Sequence, residues 1–183
     1  TSAIVGGYGP QLITEQELMA KNFEDILLDR FKPYYGLTYN ELVKALGCEG
    51  SKAKSKYFLV ANKILTEKGS RGVDVTKSEE FKKSGIIIKT IRLKKNGRSA
   101  EAMSFENINY FDIMNEDDWY ESRLYDILTG RFLFVVFQEN KHEETVLKKA
   151  FFWTMPVQDL EIAEGYWENI SDNVKNNHIG PEY

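Results

Sequence analysis

The 183 residues carry 24 Lys and Arg against 28 Asp and Glu, a net charge of −4, with 42% hydrophobic and 13% aromatic residues. These totals exclude a disordered chain and a polyanion binder coated in basic charge, so any nucleic-acid contact has to use a local patch. One cysteine, Cys48, excludes an internal disulfide and a cysteine-cluster zinc site and fits a reducing cytoplasm, and the two histidines, His142 and His178, stand far apart.

In chain order, residues 1–10 hold three glycines and a proline and read as a linker or cloning remnant ahead of one domain over residues 11–176. Thr14 with Glu17 makes a capping box that predicts one helix to about Phe31, ended by Pro33. Thr38 with Glu41 predicts a second helix to Gly47, and Phe58, Val60, Ala61, Ile64 and Leu65 a third, stopped by Gly69. Between them SKAKSK, Ser51 to Lys56, is a basic loop or first turn. Ser70 to Glu80 is polar and reads as irregular, with room for Val73 and Val75 to pair briefly.

A hairpin follows. Ile86, Ile87 and Ile88 form a β-branched run suited to a buried strand, Lys94 to Gly97 supply a turn, and Met103, Ser104 and Phe105 begin the return strand. Lys82 to Arg98 contains seven basic residues and no acidic one. A lysine inside such a strand is costly to desolvate unless it has a partner or faces a cleft, so Lys89 calls for explanation.

Asn115 is expected to cap a helix with Trp119, Leu124, Ile127 and Leu128 inward, ended by Gly130. Phe132 to Phe137, the longest apolar run, suits a buried strand and falls far short of a membrane span. After a charged turn at Asn140 to Glu144, Val146 to Thr154 returns as a strand. Pro156 opens a last helix with Leu160, Ala163, Trp167, Ile170 and Val174 on one stripe, and residues 177–183 form an irregular tail. The order predicts a mixed α/β or α+β domain.

The run GIIIKTIRL, a glycine a few residues on, and then EAMSF resemble the central hairpin of the MutH-like GATC-specific endonucleases. RFKPYYGLTYNELVKALG, KYFLVANKIL, EDDWYESRLYDIL and RFLFVVF extend the resemblance over most of residues 15–175, and the MSF strand with Trp119 and Ser122 looks most like the C-terminal, effector domain of the Sau-type restriction endonucleases. The resemblance implies a restriction-endonuclease fold, a mixed central sheet flanked by helices. It also implies a hairpin carrying an acidic residue, a spacer, then Glu-x-Lys.

That pattern has a chemical reason. Phosphodiester hydrolysis uses a metal to polarise phosphate and activate water, and alternate strand positions set a carboxylate ligand beside a cation. By resemblance, Lys89 fills the lysine position and Glu80 the preceding acidic one, but Ile87 stands where the family has its glutamate, and Asn62 near a further carboxylate. Isoleucine cannot ligate Mg²⁺.

The expectation is therefore a catalytically silent, cytoplasmic domain with no metal of its own, Mg²⁺ belonging to the parent enzyme. It would bind double-stranded DNA at GATC sites through Lys82, Lys83, Lys89, Lys94, Lys95 and Arg98, beside an upstream catalytic domain and away from any membrane. On composition alone the basic run reads as a solvated hairpin. Two alternatives stand: an active Mg²⁺ nuclease in which Asp74 replaces the missing carboxylate, and a protein-interaction domain without DNA contact.

Overall fold

The computed structural model describes residues 12–48, 56–66, 74–103, 105, 107 and 109–176. Ser104 and the expected linker, tail and most of the SKAKSK loop lie outside the described residues. The chain groups into two compact units, whose described residues fall within 12–102 with 132–152, and within 103–131 with 153–176.

The first unit holds the sheet. Strands β1 (Ile86–Leu93), β2 (Arg131–Glu139) and β3 (Thr145–Trp153) lie in the order β1-β2-β3 in a mixed sheet. β2 is buried without interruption from Phe132 to Phe137, as expected of an apolar run in a central strand. Leu133, Val135 and Phe137 share one of its faces and pack into the core with Ile86, Ile88, Leu147 and Ala150. The edge of β3 is covered near Leu147: Gly36 N donates to Leu147 O at 2.8 Å, Leu147 N donates to Leu37 O at 3.0 Å, and Thr38 bridges Val146 antiparallel.

Among the described residues this unit has the α-helices α1 (Glu15–Ala20), α2 (Phe23–Phe31), α3 (Tyr39–Leu46), α4 (Lys56–Leu65) and α5 (Glu79–Ser84). Both predicted capping boxes form. α4 sinks Val60, Ala61, Ile64 and Leu65 completely into the core, each of the larger side chains contributing about 1.5–3 kcal/mol of burial.

In the first unit, three expectations need correction. The single helix from Thr14 to Phe31 is two, because Asn22 turns extended and its side chain accepts Asp25 N, starting α2 afresh and leaving Leu18 and Met19 exposed. The segment before the hairpin is not irregular throughout. Val75–Lys77 is a 3₁₀ turn, and Ser78 caps α5, which closes on Gly85 at φ 63. The hairpin itself is a strand and a turn: Lys94 N donates to Arg98 O and Gly97 N to Lys94 O, each at 2.8 Å, but beyond the Leu93–Ser99 bridge the described residues Met103 and Phe105 lie outside any strand.

The second unit holds α6 (Tyr110–Asn115), α7 (Arg123–Leu128) and α8 (Val157–Lys175). Asn115 ends α6 rather than capping a helix. Asp118 caps a 3₁₀ turn at Trp119–Glu121, and Ser122 caps α7. Trp119 and Trp167 meet at 6.0 Å between ring centroids, and the α8 stripe of Leu160, Ala163, Trp167, Ile170 and Val174 turns inward as its spacing predicts. Among the described residues no helix is long and apolar enough to cross a membrane.

Candidate nucleic-acid interface

β1 is the strand to read residue by residue. Ile86 and Ile88 are buried in the core, so Ile87, Lys89 and Ile91, on the alternate positions, share the other side and are half-buried. Lys89 thus stands beside Ile87, with an aliphatic side chain where the resemblance would place a metal-binding acid.

Glu80, in the first turn of α5, does not reach out as a free ligand. Its Oε1 accepts the backbone N–H groups of Leu12 at 2.7 Å and Ile13 at 3.3 Å, and its Oε2 is buried without a hydrogen-bond partner among the described residues. The carboxylate therefore fastens the segment that leads into α1. Asn62, on α4, accepts Val75 N at 2.7 Å through Oδ1 and so holds the 3₁₀ turn ahead of α5. Asp74 caps that same turn, its Oδ1 accepting Thr76 N at 3.1 Å and the Thr76 hydroxyl at 2.7 Å.

Mg²⁺ takes near-octahedral oxygen coordination, commonly anchored by one or two carboxylates. Here the alternate strand position is aliphatic, Glu80 already serves two amides, and no three His, Cys, Asp or Glu side chains gather to hold a metal among the described residues. The residues present do not fit the ion.

Apart from Lys89 in β1, the expected basic residues fall in two places. Lys82 and Lys83 end α5, and Lys83 is ion-paired with Glu79. Lys94, Lys95 and Arg98 are exposed on the turn at the other end of β1, about 25 Å away at the strand's rise per residue. Gln138, near the end of β2, reaches Lys94 O at 3.4 Å, so the ends of β1 and β2 meet there.

Two further cations stand at this end. Lys56 Nζ lies 4.9 Å from the Tyr39 ring centroid and 5.0 Å from that of Tyr57, and the Arg92 guanidinium carbon lies 5.7 Å from Tyr57. Burial pushes the Tyr39 hydroxyl above its ordinary pKa, with Cys48 and Tyr57 adding to the rise. Arg92 was countable in the basic run, and strand alternation puts it on the Ile86 side. Nothing in the sequence brought Lys56 to it.

Against this geometry the comparisons with known proteins read directly. The family model described as DNA mismatch repair enzyme MutH matches residues 72–164, which include α5, all of β1 and β2, and the start of α8. The type II restriction enzyme Sau3AI of Staphylococcus aureus is 29% identical over 153 residues, an alignment covering 79% of this chain and 31% of that protein. The chain therefore spans less than a third of the length of the curated relative it matches. With the family model covering half of the sequence and a mixed sheet flanked by helices beneath it, the chain belongs to the MutH family.

Proposed function

We propose that this chain is a DNA-binding, non-cutting module of a type II restriction enzyme, acting as an allosteric effector. It would hold duplex DNA containing GATC while an upstream catalytic domain of the same enzyme, equipped with Mg²⁺, cuts in the cytoplasm. One observation carries the reading. Ile87 occupies the β1 position beside Lys89 that resemblance gives to a metal-binding glutamate, while Glu80 is committed to the Leu12 and Ile13 amides. Exposed basic side chains of the first unit supply phosphate contacts, which position a duplex without reading its bases.

The relation to a type II restriction enzyme supports the choice of DNA as partner. The test is a pair of measurements on the purified chain. Fluorescence anisotropy with GATC and scrambled duplexes across a salt series should show binding whose logarithm falls linearly with that of the salt concentration, tighter for GATC. Supercoiled plasmid with Mg²⁺ should stay uncut. Cutting would sink the silent reading. Salt-independent or absent binding would sink the DNA reading and leave a protein-interaction domain.

A further inference from the structure

At the far end of β1, cations from two elements share one surface. Lys56 and Arg92 are drawn to the same ring, that of Tyr57, from α4 and from β1. A cation–ring contact at an exposed site contributes about 0.5–1 kcal/mol, which does little against bringing two like charges together. Tyr57 is a fixed platform: its ring lies 4.7 Å from Phe137 and 5.4 Å from Tyr39, and its hydroxyl lies 3.4 Å from Thr145 Oγ1.

Arg92 Nε lies 3.3 Å from Glu101 Oε1, but this nitrogen is buried and makes no aligned hydrogen bond. The Glu101 side chain is 62% exposed, so the pair is loose and solvent can separate it. A guanidinium is built for two parallel bonds to phosphate oxygens, which that carboxylate does not supply. Ala100 N donates to Arg92 O at 2.9 Å, which folds the turn back and leaves Lys94, Lys95 and Arg98 exposed beside the same strand end. Of the acidic groups along these strand ends, Glu101 follows the turn, Glu139 is the last residue of β2, and Glu144, in the turn after it, is bonded to Asn140. At the near end of β1, Lys83 is already paired with Glu79.

We infer that Lys56 and Arg92, either side of Tyr57, are phosphate-binding residues for duplex DNA, continuous with Lys94, Lys95 and Arg98, and that Glu101 is a built-in competitor which the phosphate displaces. This rests on the DNA-binding reading and gives it a location.

The experiment is the salt series on a GATC duplex with Lys56→Gln, Arg92→Gln, Arg92→Lys, Glu101→Gln and Lys82→Gln, each chain first shown to melt cooperatively. Lys56→Gln and Arg92→Gln should each flatten the salt slope by about one, Arg92→Lys should restore most of it, and Lys82→Gln should change it less. Glu101→Gln should tighten binding several-fold, which a merely structural pair would not do. Should Arg92→Gln fail to fold, Lys56→Gln and Glu101→Gln decide the matter. A parent chain that binds DNA while its Lys56 and Glu101 variants match it in slope and affinity overturns this surface and leaves the DNA reading intact. A parent chain that does not bind overturns both.

Discussion

Asn62 Oδ1 accepts the backbone N–H of Val75 at 2.7 Å, so a side chain on α4 sets where the polypeptide turns into α5. Val75 is fully buried, and water cannot replace the lost acceptor. Asn62→Leu should therefore cost about 1–3 kcal/mol in urea unfolding with the slope unchanged. A variant as stable as the parent would show that the bond is dispensable.

The Glu80 carboxylate, serving two amides, should show a graded response. Glu80→Ala leaves the Leu12 and Ile13 donors without it and should lower stability by about 1–3 kcal/mol, while Glu80→Gln keeps one oxygen acceptor and should lose less. Limited proteolysis near residue 12 should quicken in the same order.

Restoring an acid at the strand position should not restore chemistry. Ile87→Glu places a carboxylate beside Lys89, but Glu80 stays bound to backbone and Asn62 stays bound to Val75. The expected outcome is no Mg²⁺ binding by calorimetry and no plasmid nicking. Measurable nicking by this single variant would mean that Glu80 swings out to join it.

In the second unit, Glu116 joins three segments. Its Oε1 accepts Arg123 N at 2.9 Å at the start of α7, its Oε2 accepts Trp167 Nε1 at 3.0 Å on α8, and its carbonyl accepts Lys175 Nζ at 2.6 Å. Glu116→Ala should lower the melting temperature and shift tryptophan fluorescence, since the indole donor loses its acceptor. Glu116→Gln should retain the indole contact and move the spectrum less.

Asp29 fixes an expectation for acid. Hydrogen bonds from Lys21 and Lys32 hold its carboxyl at about 2, below its ordinary value of 3.8. A carboxylate favoured in the folded state stabilises above its unfolded pKa and loses that contribution as pH falls toward the folded one. Asp29 should thus titrate near pH 2 by NMR, and Asp29→Asn should flatten the stability profile between about pH 4 and 2. Glu41, held low chiefly by the Thr38 backbone N–H, should shift in the same direction.

The sequence was most legible where one signal acted alone. FLFVVF had no reading but a buried strand, the Thr14 and Thr38 boxes marked their helices, and the α8 stripe announced its inward face. It was least legible where a short element buries little. α6 commits only Ile113 to the interior and exposes Tyr110, Phe111 and Met114, so no periodicity marked it. α5 was hidden because its basic end looked like part of a hairpin. The pattern Glu80, Ile87, Lys89 came from the family resemblance, but the partners of Glu80 lie 68 and 67 residues away, and no local rule connects them. The meeting of Lys56 and Arg92 on Tyr57 likewise depends on α4 packing against β1.

The pairing of Gly36 and Leu37 with Leu147 has a consequence for assembly. Along that flank the backbone donors and acceptors of β3 near Leu147 are already taken, so a visiting chain cannot extend the sheet there by adding a strand of its own. Any larger machine built on this side must be joined by side chains, and tandem copies are protected there from zipping into fibres.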